Sequence, residues 1–182
     1  MTELETRCLD AFPLWIRSLA EDATQLAQLL STDSLPQEAR RLVAGGLNYV
    51  FKSLDLVPDG LESLGFLDDA FVLRVGSRLA LAVPQAKEAD MRGVLSRLSR
   101  DAPLVAELLG DDHARLERYV RDLTQGAARG RSVSEIVEDP SVRSAFVSDV
   151  HAWAKSYTAP AFTRDEKNLV KLKSFLGAKL PS

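Results

Sequence analysis

The chain is short of the residues from which most catalytic and metal centres are built. It has one cysteine, Cys8, and two histidines, His113 and His151. A disulfide framework and a thiolate metal cluster both need several sulfurs at set spacings and are excluded. Neither histidine has a second His or Cys at ligand spacing, so a packed or surface role is expected for each. A nucleophile–base pair of Cys8 with either one has no local support.

Long apolar runs are missing too. No uncharged stretch exceeds ten residues, whereas a helix that crosses a bilayer needs about 20 apolar residues. The first ten residues, MTELETRCLD, are acidic where a secretory leader is basic, and no apolar region follows them. A cytoplasmic location is therefore expected. Nor is there a surplus of positive charge: 23 Lys plus Arg stand against 26 Asp plus Glu, for a net charge of −3. That balance argues against nucleic acid as a partner. It hides an asymmetry, since residues 1–90 carry −6 and residues 91–182 carry +3.

The sequence does contain enough apolar residues, 46% of 182, to bury a core without staples. Their spacing is helical almost throughout. Leu4, Cys8, Ala11 and Phe12 form a stripe that resumes after Pro13 through Trp15, Leu19, Ala23, Leu26 and Leu30. Pro13 is expected to open or kink a helix rather than lie inside one. Ser34 to Gln37 suggests a capping box for a second helix, with Leu42, Val43, Leu47, Val50, Phe51 and Leu54 on its apolar face. That helix must stop before Pro58. A third helix is expected to begin near Asp68-Asp69, apolar nearly all round and charged only at Arg74 and Arg78, which makes it the most buried.

Residues 125–132 read as a loop or sub-boundary. Ser132-x-x-Glu135, Asp139-Pro140 and Thr163-x-x-Glu166 read as helix starts, and Gly177 as a stop. Gly45-Gly46, inside the second helix, point to close helix packing, because no phosphate-loop pattern surrounds them. The arginines between 92 and 131 are interleaved with six acidic residues and read as a solvated mixed-charge surface. The expected fold is an all-α bundle of about seven to nine helices, mostly with antiparallel neighbours, in a single domain over residues 1–182.

Chemistry concentrates in one stretch, NYVFKSLDLVPDGLESLGFLDD, residues 48–69, which places Asp55, Asp59, Asp68 and Asp69 in and around one connection. Three readings fit it. The carboxylates could be structural, with Asp68 or Asp69 capping a helix and Asp55 and Asp59 pairing with Lys52, Arg74 or Arg78. They could hold Mg²⁺ or Ca²⁺, which take hard oxygen ligands, although the spacing is not that of a calcium hand. Or Leu56, Val57, Leu61, Leu64 and Phe66 could form a partly exposed docking patch around them.

The string Asp55-Leu56-Val57-Pro58-Asp59, preceded by Asn48-Tyr49 and followed by Gly65-Phe66-Leu67-Asp68-Asp69, resembles the YkvA-like domain, a bacterial and archaeal family of unknown function. The resemblance covers residues 41–80, with Val57 in place of the usual Ile. It implies a helical hairpin, within 36–83, that shares an acidic loop. Such hairpins often occur in proteins with membrane-spanning segments, and the resemblance implies no established activity.

Two functions follow as expectations. The first is a non-enzymatic helical interaction or scaffold module that needs no cofactor and has a protein partner or a second copy as its target. The alternative is a metal-binding protein or metal-assisted hydrolase using Asp55, Asp59, Asp68 and Asp69. The helix over residues 164–179, with four lysines beside Leu169, Leu172, Phe175 and Leu176, would cover its own bundle, dock into a partner groove or lie on an anionic membrane.

Overall fold

The computed structural model describes residues 1–53 and 55–182. The expected place of Leu54 on a helix face lies outside the described residues.

The chain forms α1 (Glu3–Ser31), α2 (Gln37–Tyr49), α3 (Leu67–Leu81), α4 (Ala86–Ala89), α5 (Val94–Ser99), α6 (Ala102–Leu109), α7 (Asp112–Asp122), α8 (Val133–Glu138), α9 (Pro140–Ser156) and α10 (Glu166–Lys179). Because α4 is a single turn, nine of these described helices exceed one turn, and the all-α expectation holds. Between α7 and α8 lies a 3₁₀ turn, Leu123–Gln125, followed by a two-stranded ribbon, β1 (Ala127–Ala128) and β2 (Arg131–Ser132). The stretch read as a loop is thus a tight hairpin. Its central residues Arg129 and Gly130 have φ of 48° and 76°, the pair of positive values that a twisted two-residue turn requires.

The core is one continuous cluster from Cys8 to Leu180 with α3 at its centre, as the nearly continuous apolar pattern of that helix suggests. α3 packs chiefly on α2 and α5, and α1 packs chiefly on α9. Phe71 of α3 meets Phe12 and Trp15 of α1 edge-on, at ring-centroid distances of 5.3 and 6.0 Å. Gly45 of α2 admits the backbone of Leu123, whose carbonyl carbon lies 3.3 Å from where a Cβ would stand. Gly45 thus serves close packing, whereas a Cβ at Gly46 would meet the Leu73 side chain at an ordinary 3.5 Å.

Several local expectations fail for tertiary reasons. α1 runs unbroken through Pro13. An interior proline costs roughly 3 kcal/mol, but the stripes on either side bury on one face, with Leu9 and Phe12 before it and Trp15, Ile16 and Leu19 after it. Ser34 caps nothing. Its hydroxyl bonds Thr32, and α2 starts after Pro36 with no side-chain cap. The N-cap of α10 is Asp165 rather than Thr163, and the helix continues past Gly177 to Lys179. The capping box at Ser132 and the Asp139 cap are present.

On α10, Leu169, Leu172 and Leu176 are buried in the bundle while Lys167, Lys171, Lys173 and Lys179 stay exposed, so its apolar face covers the protein's own core. No described helix is long and apolar enough to cross a membrane.

Candidate functional site

α2 ends at Tyr49, and residues 55–66 lead into α3 through successive tight turns, such as Leu61 N–H to the Pro58 carbonyl at 3.0 Å and Gly65 N–H to the Leu61 carbonyl at 2.8 Å. Two non-glycine residues in this connection, Ser63 and Phe66, have φ of 63° and 67°. Such conformations cost of order 1–3 kcal/mol for a residue with a side chain and persist only where the surroundings enforce them. Here the surroundings are apolar. Leu56, Val57 and Leu64 are buried and Leu61 and Phe66 are half-buried against the core. Of the partly exposed docking patch expected from these residues only Leu61 and Phe66 remain partly exposed, because the loop uses its apolar side chains to fix itself on the bundle.

This folded loop brings carboxylates together. One oxygen each of Asp59, Asp68 and Asp69 lies within 4.8 Å of the others. Asp59 is exposed, while Asp68 and Asp69, in the first turn of α3, are 0% and 2% exposed. Asp55 lies outside the triple, though close enough for Asp59 and Asp68 to act on its charge.

Gly65 sets the place of Asp59: a Cβ there would stand 2.0 Å from the Asp59 carbonyl oxygen. Asp68 is set by Tyr49, whose hydroxyl donates to Asp68 Oδ2 at 2.5 Å and accepts from the Leu56 amide at 2.8 Å, while the Val57 amide donates to the same Oδ2 at 3.1 Å. Tyr49 thus ties the end of α2, the loop and the start of α3 to one carboxylate. It stood in the motif, but only the fold shows what its hydroxyl does.

The partners expected from the sequence go elsewhere. Phe66 occupies the N-cap position of α3, and no described side chain caps that helix. Arg74 is 1% exposed and lies 3.0 Å from Asp101 and 3.6 Å from Asp22, its guanidinium over Trp15. None of Asp55, Asp59, Asp68 and Asp69 makes an ion pair with a described cation. Asp68 Oδ1 and Asp69 Oδ2 accept no hydrogen bond from any described residue.

Electrostatics follow from this crowding. Burial, followed by the charges of Asp59 and Asp68, raises Asp55 to about 7, against Lys52 and Lys179, which act to lower it. Burial raises Asp68 to about 6 despite the Tyr49 and Val57 hydrogen bonds. Burial and then the Asp68 charge hold Asp69 well above the usual carboxylate range, and burial alone raises Asp59. Shifts of this kind gather where charge is arranged for a task. Three hard oxygen donors suit a divalent cation: opposite ligands lie about 4.6–5.2 Å apart on Ca²⁺ and about 4.2 Å apart on Mg²⁺.

The other sequence candidates stay apart from this site. Cys8 is fully buried and burial pushes its thiol up to about 11, so it is protonated at neutral pH. His113 and His151 belong to no described group of metal-ligand side chains.

A family model described as "Protein of unknown function (DUF1232)" matches residues 39–74, which comprise most of α2, the connection with Asp55 and Asp59, and the first half of α3 with Asp68 and Asp69. No curated protein and no solved structure matches the chain.

Proposed function

We propose that the protein is a helical binding module whose hairpin loop holds one divalent cation on Asp59, Asp68 and Asp69. The observation that carries this reading is the convergence of one oxygen each of Asp59, Asp68 and Asp69 within 4.8 Å, at carboxylates whose buried Asp68 Oδ1 and Asp69 Oδ2 have no hydrogen-bond partner among the described residues. Burial to this degree normally leaves no carboxylate oxygen without a partner, yet Asp68 is held through Oδ2 alone and neither Asp68 Oδ1 nor Asp69 Oδ2 accepts from a described residue. Bringing three carboxylates together opposes folding, and a bound cation offsets that repulsion. Asp55 lies beside the triple and adds negative charge that raises cation affinity without ligating. The matched stretch coincides with the string that carries the YkvA-like resemblance, and the proposal extends the same role to hairpins bearing that string.

The test is thermal unfolding of EDTA-treated protein with added Ca²⁺, Mg²⁺ or Mn²⁺. At a hundredfold excess over Kd the cation should add about 2.7 kcal/mol, roughly 5–10 °C in Tm for a chain of this length. Asp59→Asn and Asp68→Asn should keep the helical circular-dichroism spectrum and lose the response. An unchanged Tm at millimolar concentrations of all three cations overturns the proposal.

A further inference from the structure

Beside the acidic triple, between the end of α2 and the β1–β2 hairpin, runs a groove of about 540 Å³, within the range of small-ligand sites. Phe51, Lys52, Ser53, Asp59 and Arg129 line it, so Asp59 belongs to both the triple and the groove.

Its two cations are held in place by aromatic rings. Lys52 Nζ donates to the Tyr119 hydroxyl at 3.0 Å and lies 5.1 Å from that ring's centroid. The Arg129 guanidinium lies 4.8 Å from the centroid of Phe51, whose ring is itself fixed edge-on against Phe146. Neither Lys52 nor Arg129 makes an ion pair with a described carboxylate, and their described partners are the Tyr119 and Phe51 rings. Arg129 sits at the tip of a two-residue turn, which presents its side chain from a rigid base. The ring under Lys52 packs edge-on against Tyr49, the residue that holds Asp68.

We propose that this groove binds a phosphate group, shared between the cation on Asp59, Asp68 and Asp69 and the side chains of Lys52 and Arg129. A guanidinium suits a phosphate's paired oxygens, an ammonium adds a compact charge, and the Ser53 hydroxyl adds a hydrogen-bond donor. A cation held by three side-chain oxygens keeps coordination positions for an outside ligand. Without it, Asp55 and Asp59 repel a phosphate, so the two ligands bind cooperatively and each tightens the other by the same factor. The inference rests on the cation reading above. The phosphate could come from a soluble ester or from a lipid headgroup.

Mn²⁺ binding to the full chain, read by electron paramagnetic resonance, and binding of inorganic phosphate and glycerol phosphate, read by calorimetry, separate the two claims. Mn²⁺ should tighten phosphate binding at least tenfold. Lys52→Ala with Arg129→Ala should weaken it at least tenfold while leaving Mn²⁺ affinity undiminished. Phosphate affinity that is the same with and without Mn²⁺, or in the double variant, overturns the inference. Mn²⁺ binding with no phosphate binding overturns it and leaves the cation reading standing. Absence of Mn²⁺ binding overturns both. Mn²⁺-dependent capture by phosphatidylcholine vesicles containing phosphatidic acid, competed by inorganic phosphate and lost in the double variant, supports the inference with a headgroup as the source. Binding of glycerol phosphate without vesicle capture supports it with a soluble ester as the source.

Discussion

A carboxyl group taken out of water beside two others holds its proton more tightly, and burial together with the Asp68 charge does this to Asp69. Asparagine has nearly the shape of that protonated acid and never ionises. Asp69→Asn is therefore expected to leave the Tm of EDTA-treated protein at pH 8 unchanged or raised, while the response to cation disappears. A large fall in Tm would give Asp69 a structural role instead. Tyr49 differs, because its hydroxyl serves the fold and the site together. Tyr49→Phe strands the Leu56 amide and removes a donor from Asp68, an expected loss of about 1–3 kcal/mol in urea unfolding. It should also move the Asp68 titration above about 6, followed by carboxyl NMR, since the lost hydrogen bond favoured the charged form. The four aspartates are conspicuous as letters in the chain. Which three converge is not, because that depends on a backbone contact, Gly65 against Asp59, rather than on spacing.

At the scale of elements, the connection between α2 and α3 behaves as part of the core, and its weakest tolerance is at Gly65. Gly65→Ala must push the Asp59 carbonyl away. It is expected to cost about 1–3 kcal/mol, as overpacking does, and to reduce the Tm gain from cation by displacing Asp59. A full gain in this variant would show that Asp59 is not held by that contact. α3 carries the opposite kind of feature in Arg74, a buried charge whose partners, Asp22 and Asp101, come from α1 and the start of α6. Arg74→Ala leaves Asp22 buried beside Arg97 alone and should destabilise by about 3–5 kcal/mol in urea unfolding. The position of α3 and its burial were legible in the sequence because an all-round apolar pattern leaves a helix no other place. The partner of Arg74 was not, since the sequence offered nearer acids and only the packing of α1 across α3 selects Asp22. Pro13 teaches the same lesson: local preference opposed an unbroken α1, and the buried face on both sides outweighed it.

Over the whole molecule, the acidic site makes stability depend on pH in an unusual direction. Asp55, Asp59, Asp68 and Asp69 all hold their protons more tightly in the folded chain than the ordinary carboxylate value of 3.8. The folded state therefore binds more protons than the unfolded state between about pH 4 and 7, and stability falls as pH rises through that window. Glu5, Glu107, Glu135 and Asp139 are shifted the other way by hydrogen bonds, so they weaken the fold only at lower pH. Urea unfolding of EDTA-treated protein should show greater stability near pH 5 than at pH 8, and divalent cation should restore the difference at pH 8. Stability that rises from pH 5 to 8 without cation would show that the carboxylates are not crowded as described.

The helical class, the central position of α3 and the acid-rich connection follow from the sequence alone, because periodicity and residue type are local properties that a chain displays before it folds. The convergence of Asp59, Asp68 and Asp69, the clasp made by Tyr49, the burial of the loop's apolar residues and the groove shared with Arg129 came only with the tertiary structure. Each of them joins residues far apart in the chain or fixes a side-chain direction, and such contacts are chosen by packing against the whole core rather than by neighbours in sequence.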